Sequence, residues 1–144
     1  MAVELTANAA QAVPAGQNVL FTDTPVKCGR GYVVHREGAG LVTLRGICNG
    51  CSPIARYRVL FVGNISVPTG GTAGAISVAL ALGGEALPTT TATATPAAVG
   101  DAFNVATSAF VDVPRGCCVA LSVRNVSAQA IGVANANLMI ERVA

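Results

Sequence analysis

The stretch Ala55-Arg-Tyr-Arg-Val-Leu-Phe-Val-Gly-Asn-Ile-Ser66 constrains the fold more than any other part of the chain, because its apolar side chains recur at every second position. That period places successive side chains on opposite faces of a strand. Tyr57, Val59, Phe61, Ile65 and Val67 share one face, with Gly63 in line. The other face begins with Arg56 and Arg58, turns apolar at Leu60 and Val62, and turns polar again at Asn64 and Ser66. A sheet with one wetted side keeps its outer residues polar. Leu60 and Val62 break that rule, so this strand is expected to be buried a second time, against another copy of the chain.

The same period recurs along the sequence, cut by turn chemistry. Residues 75–82 put Ile76, Val78, Leu80 and Leu82 on one face, and Gly83-Gly84 then reads as a hairpin turn, since glycine takes positive φ freely. Residues 89–95 alternate Thr and Ala as the expected returning strand, ended by Pro96. Phe103, Val105, Ala109, Val111 and Val113 alternate next. Pro114-Arg115-Gly116 then turns the chain into Cys117, Val119, Leu121 and Val123. Leu138 and Ile140 point inward from the last strand. Earlier, Val3 and Leu5, Val19 and Phe21, and residues 32–36 and 41–45 complete the set. Helix signals are nearly absent. Short alternating strands separated by turns make an all-β protein, and about nine or ten of them suit a two-sheet antiparallel jelly-roll sandwich, read as one domain over residues 1–144. An immunoglobulin-like sandwich is the other candidate, but the chain has no Trp and too many strands for it.

Composition sharpens the case for association. The chain is 52 % hydrophobic and 11 % charged, against roughly 25 % charged for an ordinary soluble domain. Its exterior is therefore built from small polar residues or hidden against other subunits. Residues 73–82, the longest apolar stretch, fall short of the roughly 20 residues a membrane helix needs. The opening Met1-Ala-Val-Glu-Leu-Thr shows no basic segment leading into an apolar run, so no secretory leader is expected. Lys27, Arg30, Arg36, Arg45, Arg56 and Arg58 cluster in a stretch holding one acid, Glu37. They read either as solvated strand and loop positions or as a patch that docks on an acidic protein or glycan surface. Nucleic acid is not an expected partner, since only six aromatic residues occur and the basic residues are not stacked with them.

Signals for chemistry are weak. Cys48-Asn-Gly-Cys51 has the spacing used for zinc or redox work, but Asn49-Gly50 reads as a turn and not as a helix start. Cys28, Cys48 and Cys51 would give zinc three of its four ligands, with His35 or another subunit needed for the fourth. A disulfide joining Cys28 to Cys48 or Cys51, or free thiols, are the alternatives, and no metal or cofactor is expected. Cys117 reads as a small core residue and Cys118 as an outward one. His35, the lone histidine, reads as a solvent-facing strand residue, and no nucleophile–base signature joins it to Cys28 and Asp23. Asn64-Ile-Ser66 and Asn125-Val-Ser127 match the glycosylation acceptor pattern and read as ordinary turn and strand polar residues. No enzymatic activity is expected.

The order of landmarks is also familiar. Asn18-Val-Leu-Phe21, the strand 55–66, the hairpin Ser77-Val-Ala-Leu-Ala-Leu-Gly-Gly-Glu85, the strand ending Phe110-Val-Asp-Val-Pro-Arg-Gly116 and the closing Ala136-Asn-Leu-Met-Ile-Glu-Arg142 follow one another. This resembles the globular heads of collagen-like spore-surface glycoproteins, which have the tumour-necrosis-factor-like (TNF-like) jelly roll. The likeness implies a homotrimer, with a contact set of Leu60, Val62, Phe110, Cys118 and Met139 expected between copies. Those proteins carry a Gly-X-Y stalk that is missing here. Similar stand-alone jelly rolls serve as bacteriophage decoration proteins, head fibres or fibre tips. The resemblance thus implies a structural virion protein, assembled in the bacterial cytoplasm and docked on a capsid or other virion protein. A bacterial surface or spore-coat module that binds glycan is the alternative.

Overall fold

The computed structural model describes residues 2–26, 32–46 and 53–143. Its strands, numbered along the chain, form two antiparallel sheets. The first holds, in spatial order, β10 (Ala102–Pro114), β6 (Ile54–Ser66), β12 (Ile131–Arg142), β1 (Ala2–Ala7) and β3 (Asp23–Val26), with β2 (Gln11–Val13) beside β12. The second holds β4 (Val33–His35), β5 (Val42–Arg45), β11 (Cys118–Asn125), β7 (Ile76–Leu82) and β8 (Glu85–Ala86), with β9 (Ala92–Ala94) also on β7. The two sheets face each other, and one continuous core fills the space between them. This is the jelly-roll sandwich that the alternation implied.

β6 shows why. Tyr57, Val59, Phe61, Ile65 and Val67 are wholly buried, while Arg56 and Arg58 are exposed. Tyr57 carries a phenol into this core and donates it to the Arg45 carbonyl, so its one polar atom is satisfied. Between β7 and β8, Gly83 and Gly84 have φ of 61° and 85°, the two positive values a two-residue primed turn requires.

The returning strand is shorter than the Thr/Ala run suggested. A single 3-10 turn (Pro88–Thr90) occupies its first part, where the buried Thr90 hydroxyl accepts from the Leu80 N–H, and of the Thr/Ala run only β9 pairs with β7. Two further expectations are corrected. Cys117 is exposed because it ends the turn after β10, bonded to the Pro114 carbonyl, before β11 starts. Phe103 has the parity of the core residues but is 45 % exposed near the start of the edge strand β10, one of that sheet's two borders.

β12 contains a bulge. Residues 131 and 133 face the core, and after a register shift between Ala134 and Asn137 the even-numbered residues 136, 138 and 140 do so. Ala134 and Asn135 are thereby both turned outward. Asn135 takes φ of 52°, a left-handed value that asparagine tolerates better than most residues.

Asn125, at the end of β11, is wholly buried. Its amide N–H groups donate to the Val13 and Gln129 carbonyls at 3.0 and 2.9 Å, and its oxygen accepts from the Ser127 N–H at 2.9 Å. One side chain thus ties three segments together.

Candidate functional site

The outer face of the first sheet is ordered in rows, because antiparallel register brings one outward residue from each strand to the same level. At one end lie two ionic rows. Arg56 on β6 meets Asp112 on β10 through two parallel bonds of 2.7 and 3.0 Å. Arg58 meets Glu141 on β12 at 2.6 Å, in the row that also holds Phe110. The middle rows mix apolar and polar residues, with the apolar ones on the central strands: Ser108, Leu60, Met139 and Glu4, then Ala106, Val62, Asn137 and Thr6. At the far end lies a row of asparagines.

The middle is where the face departs from ordinary exterior. Leu60 and Val62 are half-buried within one chain, Met139 is 40 % exposed and Phe110 is 65 % exposed. An open depression of ≈ 500 Å³, whose lining includes Ala2, Glu4, Val26, Arg58, Leu60 and Met139, sits over these rows. Four of the five expected contact residues, Leu60, Val62, Phe110 and Met139, therefore share one surface. Cys118 lies on the second sheet, opposite Arg45 of β5.

The expected basic patch is divided. Arg56 and Arg58 point from the first sheet and are each paired with an acid, whereas Arg45 ends β5 on the second sheet and Arg36 is exposed beyond β4. Lys27, Arg30 and the cysteines 28, 48 and 51 lie outside the described residues. The hydrogen bond from Arg56 holds the Asp112 carboxyl below the ordinary aspartate range, with slight burial opposing and the Arg56 charge assisting. Carboxyl-detected NMR titration is accordingly expected to give Asp112 a midpoint below that of a model aspartate, and Asp112 in Arg56→Gln should move back up. Because the folded value is the depressed one, the stabilisation is complete above the unfolded pKa and fades as pH falls through the folded pKa. An Asp112 that titrates like a model peptide would remove this pairing from solution.

His35 is half-buried, not solvent-facing. Its Nε2 lies 3.1 Å from the Ala39 carbonyl and its Nδ1 3.5 Å from the Thr24 hydroxyl, with the ring edge-on to Phe21. Both nitrogens are engaged in holding β3 and the chain after β4 together. Among the described residues no group of three or more His, Cys, Asp or Glu is placed to hold a metal ion. No helix among them is long and apolar enough to cross a membrane.

What the row pattern can do is bind another surface that is apolar in its middle and polar at its ends. Sequence reasoning found the apolar rows through Leu60 and Val62. It missed the pairing of both arginines and the asparagine row, because each depends on strands distant in sequence.

No family model and no curated protein matches the sequence. Solved structures do match in fold. The globular domain of a zebrafish complement 1qA protein aligns at 13 % identity and a TM-score of 0.60, covering 95 % of this chain and 94 % of that one. The Eiger TNF of S. frugiperda aligns at 12 % identity and a TM-score of 0.71, covering 100 % of this chain and 92 % of the other. The chain has the TNF-like jelly-roll fold.

Proposed function

We propose that this protein is a non-enzymatic structural subunit that associates with copies of itself, as a homotrimer, through the outer face of its first sheet. One observation carries the reading: the half-buried Leu60 and Val62 and the exposed Met139 and Phe110 lie in neighbouring rows of one outer face whose other positions are mostly polar. Contiguous apolar surface rimmed by polar groups marks a place where another macromolecule packs. The charge-poor composition supports the same reading, since little of the exterior is built for permanent contact with water.

The threefold number follows the resemblance to TNF-like heads. We place the trimer on a bacteriophage particle, as a capsid decoration, head fibre or fibre tip. The likeness to stand-alone jelly rolls of virions supports this, as does the lack of any catalytic signature in the sequence.

Light scattering on the purified chain is expected to give three times the monomer mass, retained on dilution. Immunogold labelling is expected to mark purified particles and not the surface of uninfected cells. A stable single-chain species would overturn the assembly reading, and label confined to the cell surface would overturn the virion placement.

A further inference from the structure

The turn that joins β10 to β11 carries thiols on two consecutive residues. Cys117 closes the turn and Cys118 opens β11; both are exposed, and both are free thiols. The backbone around them is held at three points. The Arg115 N–H donates to the Pro53 carbonyl at 2.9 Å, the Cys117 N–H donates to the Pro114 carbonyl at 3.0 Å, and the Cys117 carbonyl accepts from the Gly46 N–H at 2.9 Å. Cys118 stands directly across from Arg45 of β5. Facing residues of an antiparallel pair share one side of the sheet, with Cβ atoms about 5 Å apart, so the exposed Arg45 belongs to the same surface as Cys118. Arg115, exposed as well, lies two residues before Cys117 in the turn. Neither arginine has an ionic partner among the described residues.

We propose that Cys117 and Cys118 together chelate a soft, two-coordinate cation of the Cu(I) type. The fold works against a bond between the two sulfurs themselves. Cα atoms joined by a trans peptide are about 3.8 Å apart, whereas a disulfide sets its two Cα atoms about 4.4–6.8 Å apart. The peptide between the two cysteines is trans, and its carbonyl is the one tied to Gly46, so twisting it towards a disulfide would break that tie. A bridging ion asks for less. Two metal–sulfur bonds of about 2.3 Å each let the sulfurs stand as much as about 4.6 Å apart, so side-chain rotation can bring both to the ion while the peptide stays in place. Soft thiolates select Cu(I) among the common ions. Zinc needs four ligands, and among the described residues no group of three or more His, Cys, Asp or Glu is placed to supply them. Charge agrees with a monovalent ion. Each thiol gives its proton to solvent and forms one metal–sulfur bond, with no electron transferred, so the complex carries one net negative charge. Arg45 and Arg115 offset it. Because β11 belongs to the second sheet, the site does not depend on the face through which copies associate.

Cu(I) presented on a chromophoric chelator, with a reductant present, tests the assignment. The parent chain is expected to withdraw one more Cu(I) per chain than Cys117→Ser/Cys118→Ser, which keeps every other cysteine. Conversely, Cys28→Ser/Cys48→Ser/Cys51→Ser keeps only this pair, and should take one Cu(I) per chain while releasing two protons. Replacing either remaining thiol of that triple variant by serine should leave the metal on the chelator, since a single thiolate is no chelate. Zinc offered to the triple variant at the same concentration should stay in solution. Far-UV circular dichroism checks that each variant keeps its strands, and the comparison of parent with double variant decides the matter even where the triple variant fails to fold. A double variant that binds as much Cu(I) as the parent would overturn the site. Half an ion per chain on the triple variant would overturn it too, because the metal would then bridge single thiols of two copies, and zinc taken up in preference to Cu(I) would overturn the two-coordinate assignment.

Discussion

Replacing Leu60 and Val62 together by aspartate is expected to yield a folded chain that no longer associates, with the mass by light scattering falling from that of the assembly to that of one chain. Both residues point outward from β6 in adjacent rows, away from the core lined by Val59 and Phe61. Within one chain they are only half-buried, so carboxylates there can reach water and the sandwich tolerates them. Within an assembly they cannot. Each would be buried without a partner, a situation that typically costs 3–5 kcal/mol or so when a buried pair is broken, and the apolar contact would vanish at about 25 cal/mol per Å² besides. Two such changes at every contact weaken assembly by about a thousandfold or more. Thr43→Asp, on a half-exposed position of β5 in the second sheet, serves as the matched control and should leave the mass unchanged. If the double variant keeps the parent mass, the outer face of the first sheet is not the contact.

What could be read from the sequence was whatever a single strand carries within itself. The parity of β6 gave its buried and outward faces, and Gly83-Gly84 gave the hairpin, because both signals are local. The errors mark where locality ends. Parity placed Cys117 inward, but parity holds only once a strand has begun, and β11 starts one residue later. Phe103 keeps the right parity and still meets solvent, because burial also depends on how far the opposite sheet extends over an edge strand. Cys118 was grouped with Leu60 through outwardness alone, and alternation cannot say which of two sheets a residue faces away from.

The functional face was half legible for the same reason. Arg56 and Arg58 looked like members of a free basic patch until register set Asp112 and Glu141 opposite them, 56 and 83 residues away. The amide row of Asn104, Asn64, Asn135 and Asn8 needs three strands side by side, the residue just past β1 and one bulge at Asn135, and none of its members stands near another in sequence. Two of its neighbours in the chain, Ile65 and Ala136, are core residues. A polar ladder interleaved with core positions looks like ordinary strand polarity until the partners are known.

Asn125, which reads from the sequence as an ordinary turn or strand polar residue, is wholly buried and carries the strongest expectation for stability. Asn125→Ala should lower the unfolding free energy by about 3 kcal/mol, because truncation leaves the Val13 and Gln129 carbonyls and the Ser127 N–H without their partner, at about 1 kcal/mol or more for each stranded group. Ser127 magnifies the effect, since its hydroxyl accepts from the Ser77 N–H and donates to the Ser77 carbonyl, clamping the β11–β12 turn to β7. For a chain of this size the loss corresponds to a melting point lower by about 10 °C. Asn125→Asp should be worse than alanine: it keeps an acceptor for Ser127 but turns a carboxylate towards two carbonyl oxygens in a site closed to water. Both variants are best measured by urea unfolding in the Leu60→Asp/Val62→Asp background, where a single-chain species would make the midpoint independent of protein concentration. A change within about 0.5 kcal/mol, the range of an ordinary surface substitution, would mean that water replaces the asparagine there and that the three segments hold together without it.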